Sequence, residues 1–253
     1  MRLIVRVVPS LLLAAVLGSA CSQPGAQREP ERATAATVDS APHYSAVPRS
    51  ADGIGKAYRG REIAAIMGWQ GAAWLEREER EREERVSLLL RELELRPGMV
   101  VADIGAGTGY HSRRIAPRVG PGGRVLAVDV QPQMVAMLEA LAAQEGLANI
   151  VPVRGSARGA GLDPESIDLA LMVDVYHELE YPREMLDHIA RALRPGGRLV
   201  FVEYRAEDAR VPIKPLHKMS QAQIRREADL DSLQWERTAT TLPWQHVVVF
   251  RKR

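Results

Sequence analysis

The chain has 253 residues, of which 46% are hydrophobic and 26% charged, a composition typical of a globular protein with one substantial core. Its 34 basic and 32 acidic residues give a formal net charge of +2. Because the two signs are interspersed, no sustained field predicts a nucleic acid or an anionic membrane surface as partner. The single cysteine excludes an internal disulfide.

Residues 1–20 have the order of a secretory signal peptide. Arg2 and Arg6 precede an apolar stretch at residues 7–17, and small residues follow, up to Cys21. A cysteine directly after a small-residue cleavage site resembles the lipidation box of bacterial lipoproteins. We therefore expect an exported lipoprotein that faces the periplasm and is attached to a bacterial membrane only by a lipid on Cys21. The alternative is a buried free cysteine.

The next two segments differ in periodicity. Residues 21–53 are rich in proline, alanine and serine without a period of 2 or 3.6, which predicts a disordered tether. Residues 54–95 carry apolar residues at helical spacing, with Ile63, Ile66 and Met67 on one face, which predicts a helical N-terminal cap.

A run of charges lies inside this cap. Acidic residues precede basic residues by four positions in the pairs Glu76–Arg80, Glu78–Arg82 and Glu81–Arg85. Such pairs stabilise an exposed helix surface, so we expect a solvated face rather than a binding site.

Residues 96–253 alternate between strand and helix patterns. Apolar strands are predicted at "MVVADI", "RVLAVDV", "NIVPVRG", "SIDLALMVDV" and "RLVFVEY", with helices at "SRRIAPRV", "QPQMVAMLEALAAQEG" and "PREMLDHIARAL" between them. A further helix begins at "SQAQIRREADLDSL", and the strands "QWERTATTL" and "WQHVVVF" follow with no room for a helix between them. This order predicts an α/β fold with a Rossmann-like, doubly wound, mostly parallel sheet and an antiparallel C-terminal edge hairpin.

The first predicted strand runs directly into a glycine-rich turn, "DIGAGTGYHS". Gly105, Gly107 and Gly109 occupy alternate positions, and a helix follows. The dinucleotide fingerprint GxGxxG would need a glycine at Tyr110, and no lysine follows as in a phosphate-binding P-loop. A turn of this kind presents backbone N–H groups at the carboxyl end of the sheet, where they can cradle a polar ligand.

The pattern DxGxGxG from Asp103 to Gly109, followed by Asp129 at the end of the second strand, resembles the class I S-adenosylmethionine (SAM)-dependent methyltransferases. The resemblance implies that Asp129 accepts hydrogen bonds from the ribose hydroxyls and that Asp103 supports the loop and the SAM amino group. Where the family often has an acid behind the third strand, this chain has "RGSARG", which leaves Ser156 near the adenine. The expected cofactor-binding residues are Asp103, Gly105, Ala106, Gly107, Gly109, Asp129, Val130, Ser156 and Asp174.

Residues after the fourth and fifth strands of an open parallel sheet face the ligand site. His177, in "DVYHELEYP", is our candidate catalytic base, and Tyr176, Tyr204 and His217 are candidate contacts to the methyl acceptor. Each of these residues has a structural role as its alternative. Glu178 is next to His177, but neighbours on a helix point in different directions, so it is not expected to orient the histidine.

Several potential metal ligands fall near predicted strand ends, namely His111, His177, Glu178, His217 and His246. Because the chain contains no HxxxH or CxxC pair, this spacing predicts no metal site.

From Gly55 to the C-terminus the chain is similar to a group of bacterial methyltransferase-like proteins that are distantly related to quinone-biosynthesis C-methyltransferases. The resemblance implies a SAM-dependent methyltransferase that acts on a small or medium organic acceptor. The alternative is an exported, non-catalytic SAM- or nucleoside-binding module. The export signal favours the alternative, because SAM is made in the cytoplasm. The intact ligand motif favours the enzyme.

Overall fold

The computed structural model describes residues 43–253. The predicted signal peptide, Cys21 and most of the predicted tether lie outside the described residues.

Within this range the chain forms ten strands and seven helices. The strands are β1 (Tyr44–Ala46), β2 (Gly53–Tyr58), β3 (Arg61–Ala64), β4 (Val100–Ile104), β5 (Arg124–Asp129), β6 (Ile150–Arg154), β7 (Ile167–Val173), β8 (Leu193–Tyr204), β9 (Leu233–Ala239) and β10 (Gln245–Lys252). The helices are α1 (Ala72–Leu75), α2 (Arg80–Glu84), α3 (Val86–Glu92), α4 (Ser112–Val119), α5 (Pro132–Gln144), α6 (Pro182–Ala192) and α7 (Gln221–Glu227). Short 3₁₀ turns occur at Trp69–Gly71, Tyr176–Glu178 and Pro215–His217.

The central sheet has seven strands in the order β6-β5-β4-β7-β8-β10-β9. The pairs from β6 to β8 are parallel, while β10 is antiparallel to both β8 and β9. This arrangement confirms the predicted Rossmann-like sheet and its C-terminal hairpin. The chain crosses outward in opposite directions from β4 and β7, so a crevice opens at the carboxyl ends of these two strands.

Helices cover both faces of this sheet. Leu186 of α6 and Ile224 of α7 belong to the core on one face, and Leu89 of α3 and Ile115 of α4 belong to the core on the other. All four side chains are buried. Each contributes roughly 1.5–3 kcal/mol through removal of apolar surface from water. Because both faces are covered, the strands are nearly continuous apolar runs, which is why their sequence pattern is easy to recognise.

The N-terminal part agrees only in part with the helical cap predicted for residues 54–95, because α1, α2 and α3 are helices but the segment before them is not. The strands β1, β2 and β3 form a separate antiparallel sheet. The hairpin between β2 and β3 turns at Arg59 and Gly60, whose φ angles are 47° and 87°. Two consecutive positive φ angles are typical of a tight hairpin turn whose twist matches that of the flanking strands, and a helix cannot continue through it. The β1 strand also lies inside the predicted tether, which therefore ends before Tyr44.

The charged run also differs from prediction. Arg80 and Glu84 of α2 are only 3% and 2% exposed, so they do not belong to a solvated face. Their side chains pair with each other at 2.7 Å. The helix then stops at Arg85, which has a φ of 53°, before α3 begins. In residues 43–253 no helix combines the length and the apolar character needed to cross a bilayer.

Candidate active site

A cavity of about 390 Å³ lies at the carboxyl ends of the central strands. Its size falls in the range of small-molecule sites. Residues directly after β4, β5 and β7 line it, among them Gly105, Asp129 and Asp174. The site therefore lies at the crevice where the strand order reverses, as expected for a ligand site of an open α/β sheet.

The glycine-rich loop forms one wall of this cavity. Gly105 and Gly107 have φ angles of 71° and 57°, a backbone region that side chains disfavour. A Cβ atom at Gly105 would lie 2.4 Å from Val175, and one at Gly107 would lie 2.7 Å from Leu75 of α1. Glycine is therefore required at both positions for the backbone conformation and for close packing.

The loop uses its backbone amides internally. The N–H groups of Gly105 and Ala106 both donate to the carbonyl of Val128, at 2.8 and 2.9 Å. The N–H group of Gly107 donates to Asp129 Oδ2 at 3.0 Å. The sequence pattern predicted a wall of N–H groups facing the ligand, but these three amides hold the loop against β5 instead.

Asp129 is in the position that the resemblance implied. Its second oxygen accepts the Gln131 N–H at 2.8 Å, so both carboxylate oxygens are oriented by backbone donors. Burial raises the pKa of Asp129 above its usual value, while these backbone hydrogen bonds act in the opposite direction. A carboxylate oriented in this way retains lone pairs that can accept further hydrogen bonds from a bound ligand.

Four of the other predicted cofactor-binding residues are not among those that line the cavity. Asp103 is buried beneath the loop, where it accepts a hydrogen bond from Ser112 Oγ at 2.7 Å. Gly109 packs against Leu138 of α5. Ser156 is solvent-exposed in a tight turn and hydrogen-bonds to the carbonyl of Gly159 at 3.3 Å. Ala106 is buried in the core, and Val130 lines the cavity as predicted.

The cavity floor contains a cluster of polar groups. Asp174 accepts a hydrogen bond from Gln245 at 2.7 Å, while its Oδ1 atom is inaccessible to solvent and has no hydrogen-bond partner among residues 43–253. Tyr204 donates its hydroxyl to Glu84 at 3.0 Å. Burial raises the pKa of Asp174 well above its usual range, and the charges of Glu84 and Glu203 raise it further. These effects favour the protonated form of Asp174 in the folded chain.

His177 lines the cavity and has a buried carboxylate partner. Its Nδ1 atom is 2.6 Å from Glu203 Oε2. Glu203 is fully buried, and its other oxygen accepts the backbone N–H of Tyr176 at 2.9 Å. In the tautomer that places the Nδ1 proton next to this carboxylate, Nε2 is a hydrogen-bond acceptor.

His217 and Glu178 lie next to this histidine. His177 Nε2 is 3.2 Å from His217 Nδ1 and 3.8 Å from Glu178 Oε1. We expected Glu178 to point away from His177, as neighbours on an α-helix do. The two residues instead occupy a 3₁₀ turn, Tyr176–Glu178, in which both side chains reach the cavity.

Tyr176 does not contact the cavity, and its prediction as an acceptor contact is wrong. The ring is fully buried and packs edge-on against Phe201, with centroids 4.9 Å apart. The ring belongs to the hydrophobic core on this face of the sheet, where burial of an aromatic side chain is favourable. Tyr204 and His217 both line the cavity as predicted.

Sequence reasoning missed three residues of the site. Glu203 could have been found as a carboxylate within the uninterrupted apolar strand "RLVFVEY", because a charge in such a run needs a buried partner. The sequence pattern did not single out the other two residues. Glu84 lies within a run of charged residues, and Gln131 lies at the start of a predicted helix.

Comparison with known proteins finds methyltransferases among the similar sequences. Residues 102–199 match the family model described as a methyltransferase domain. An uncharacterised methyltransferase of Mycobacterium tuberculosis is 38% identical over 102 residues, which are 40% of this chain and 38% of the relative. A ubiquinone/menaquinone biosynthesis C-methyltransferase of Hydrogenovibrio crunogenus is 31% identical over 111 residues, 44% of each chain.

The solved structures show the same fold. A SAM-dependent methyltransferase from Aquifex aeolicus superposes with a TM-score of 0.70 at 22% identity, covering 74% of this chain and 100% of that structure. The chain spans only 33% of a relative from Streptomyces fradiae and 38% of the mycobacterial one.

Proposed function

We propose that this protein transfers a methyl group from SAM to a small or medium organic acceptor, because residues 102–199 match a methyltransferase-domain model and the sheet has the fold of a SAM-dependent methyltransferase. One observation carries the proposal. One cavity at the strand-order reversal is lined both by Gly105, Gly107 and Asp129 and by His177 and Tyr204. The family match gives no support to the alternative of a non-catalytic binding module.

The residues on the loop side fit an adenosyl ligand. Asp129 presents an oriented carboxylate that can accept hydrogen bonds from a pair of vicinal hydroxyls. Gly105 and Gly107 leave room for close approach to the backbone, and Met134 and Val130 add apolar surface for a flat ring.

Methyl transfer requires an acceptor that is aligned and, where it carries a proton, deprotonated. When bound, SAM supplies a methyl group on a positively charged sulfur that reacts by in-line displacement. His177 Nε2 can take up the proton of the acceptor, and Glu203 stabilises the imidazolium that forms because its carboxylate holds the Nδ1 proton. Glu203 is a positioning residue in this scheme, since it acts through the histidine.

The acceptor side of the cavity is mainly apolar. Ile66, Leu179, Met185 and Ile213 line it beside the polar group of His177. Apolar lining combined with the polar cluster of His177, Glu178 and His217 favours a compact acceptor that has an apolar body and a reactive hydroxyl, thiol or acidic carbon.

Calorimetric titration of the full chain tests the adenosyl site. We expect SAM to bind with one equivalent per chain and Asp129→Ala to weaken binding at least tenfold, because the variant removes the acceptor for the ribose hydroxyls. Asp163→Ala, at an exposed position, is the matched control and should bind as the wild type does. No heat with SAM, or equal affinity in both variants, would contradict the proposed site.

Turnover is tested separately with methyl-labelled SAM and a panel of small phenols, thiols and enolisable ketones. We expect His177→Ala to lower the rate with any accepted substrate by about 10²–10⁴-fold, the usual contribution of a general base, while SAM affinity stays unchanged. An unchanged rate would remove His177 from catalysis but would leave the binding result intact.

We further propose that the protein is exported and anchored by a lipid on Cys21. The order of charged, apolar and small residues before this cysteine supports the proposal. Mass spectrometry of the full chain from the membrane fraction should find a diacylglycerol adduct that Cys21→Ser lacks. Recovery of both forms in the soluble fraction would contradict it.

A further inference from the structure

Three potential metal ligands converge in the cavity. They are His177 Nε2, His217 Nδ1 and Glu178 Oε1, which all lie within 4.8 Å of one another. The individual separations are 3.2 Å between the two nitrogens, 3.8 Å from Glu178 to His177 and 3.5 Å from Glu178 to His217. The three atoms thus form a nearly regular triangle.

This triangle has the size that a first-row metal ion requires. Nitrogen and oxygen ligands bind Zn²⁺ at about 2.1 Å, which places the ligands of a tetrahedral site about 3.4 Å apart. The observed separations scatter around this value. An ion slightly above the plane of the triangle would therefore reach all three atoms with only small side-chain adjustments.

Hydrogen bonds on the far side of two of these residues point the ligand atoms inward. Glu203 holds the Nδ1 side of His177 at 2.6 Å, which leaves the Nε2 lone pair for coordination. The backbone N–H of Met67 donates to Glu178 Oε2 at 3.2 Å, which leaves Oε1 directed at the histidines. Carboxylate–histidine pairs of this kind orient the ligands and raise their basicity in metal sites.

Electrostatics gives a second reason for a cation. In the tautomers that leave lone pairs on both His177 Nε2 and His217 Nδ1, these nitrogens and Glu178 Oε1 are three acceptors that repel one another. A proton on His217 Nδ1 can relieve the contact between the two rings. A divalent ion would satisfy all three acceptors at once.

We propose that His177, Glu178 and His217 form a binding site for one divalent first-row transition-metal ion. Two imidazoles and one carboxylate are the ligand set of sites that keep a coordination position open for a substrate. All three residues line the cavity, so the open position faces the space assigned to the methyl acceptor.

The consequence for chemistry rests on the proposed function, whereas the site itself does not. An ion here would bind the hydroxyl or thiol group of the acceptor and lower its pKa, so that the proton leaves to water. His177 would then be a ligand, and its role as proton acceptor would apply only to the metal-free protein.

Metal binding is tested without any methyl transfer. The full chain carrying Cys21→Ser, which removes the thiol as a competing ligand, is freed of metal with EDTA and titrated with Zn²⁺ against a chromophoric chelator. We expect one equivalent per chain, and we expect His217→Ala and Glu178→Gln each to weaken binding at least 100-fold. His188→Ala is the matched control, because that histidine lies on α6 away from the cavity.

Co²⁺ reports the coordination geometry. The wild type should give the intense visible absorption of a low-coordinate site, His217→Ala should lose it, and His188→Ala should keep it. Glu203→Gln should weaken Zn²⁺ binding by about 10–100-fold, the usual effect of an outer hydrogen bond, while the Co²⁺ spectrum keeps its shape.

The proposal is overturned if the wild type takes up no Zn²⁺, or if His217→Ala and Glu178→Gln bind it as tightly as His188→Ala does. SAM binding by the same metal-free protein separates this failure from failure of the proposed function. Retained SAM affinity without Zn²⁺ uptake would leave the methyltransferase proposal standing with a proton between the two histidines.

Discussion

Asp103 shows what burial does to one carboxyl group beneath the glycine-rich loop. Burial raises its pKa to about 6, although the hydrogen bond from Ser112 and the charge of Arg80 act in the opposite direction. In the unfolded chain the pKa of the same group is about 3.9. The folded state therefore favours the protonated form. The resulting contribution of Asp103 to the free energy of unfolding is complete below pH ~4 and is lost as the pH rises through about 6.

We predict that Asp103→Asn removes this pH dependence. Asparagine is neutral at every pH and can still accept the Ser112 hydrogen bond. Relative to the wild type, the free energy of unfolding of the variant should therefore increase between pH 4 and pH 7, by up to about 3 kcal/mol. Urea denaturation across this pH range measures it. The exposed Asp163→Asn serves as control, and equal slopes for the two variants would refute the role assigned to burial.

Single residues were predicted well where a motif and a strand end coincided. Asp129 and Gly107 lie where the resemblance implied, because a parallel strand delivers its last residue to the cavity edge. Tyr176 and Glu203 were not anticipated correctly. Which of the consecutive residues 176–178 enters the cavity depends on a 3₁₀ turn, and the partner of His177 comes from a strand that is distant in sequence.

At the scale of elements, the N-terminal sheet is held to the rest of the chain by a buried ion pair. Arg61 of β3 donates two hydrogen bonds to Glu227 of α7, at 2.7 and 2.9 Å, and a third to the carbonyl of His177 at 3.1 Å. Glu227 is fully buried. This small sheet therefore packs directly against the turn that carries the proposed base.

Removal of one residue of the Arg61–Glu227 ion pair should lower the stability of the folded chain. Arg61→Ala leaves the carboxylate of Glu227 buried without its cation, and we predict a loss of about 3–5 kcal/mol in the free energy of unfolding. The double variant Arg61→Met/Glu227→Met should recover most of this loss, because apolar residues of similar volume replace the pair without a buried charge. Urea denaturation of the single and double variants measures both effects. A double variant less stable than Arg61→Ala would show that the charges themselves stabilise the contact.

Elements buried on both faces were predictable, and so was the helical character of residues 72–92, but the strands before it were not. The strands from β4 to β8 are runs of apolar residues that reach the core from either side, so the sequence alone indicates them. The segment around Ile63 has apolar residues at a spacing that suits a helix. The segment instead forms a hairpin, because the chain reverses at Arg59 and Gly60 with positive φ angles. This turn depends on the pairing of β2 with β3, which the local sequence pattern does not reveal.

At the scale of the whole molecule, a segment before the central sheet covers the cavity. Met67, Trp74 and Leu75 line the cavity, and Gln131 next to the proposed adenosyl site holds this cover by two hydrogen bonds. Gln131 Oε1 accepts the Trp69 N–H at 2.8 Å, and its Nε2 donates to the Met67 carbonyl at 3.0 Å. The cover and the ligand wall are thus joined through a single side chain.

We predict that Gln131→Ala loosens this cover without unfolding the sheet. Hydrogen exchange in residues 65–75 should become faster in the variant, since the Trp69 amide loses its acceptor, while exchange in the central strands stays unchanged. SAM should also dissociate faster, because the cover closes the side of the cavity next to Asp129. Gln144→Ala is the matched control, because Gln144 is exposed at the C-terminal end of α5, the helix that begins directly after Gln131. Equal exchange in the two variants would mean that packing of Trp74 and Leu75, rather than the Gln131 hydrogen bonds, keeps the cover in place.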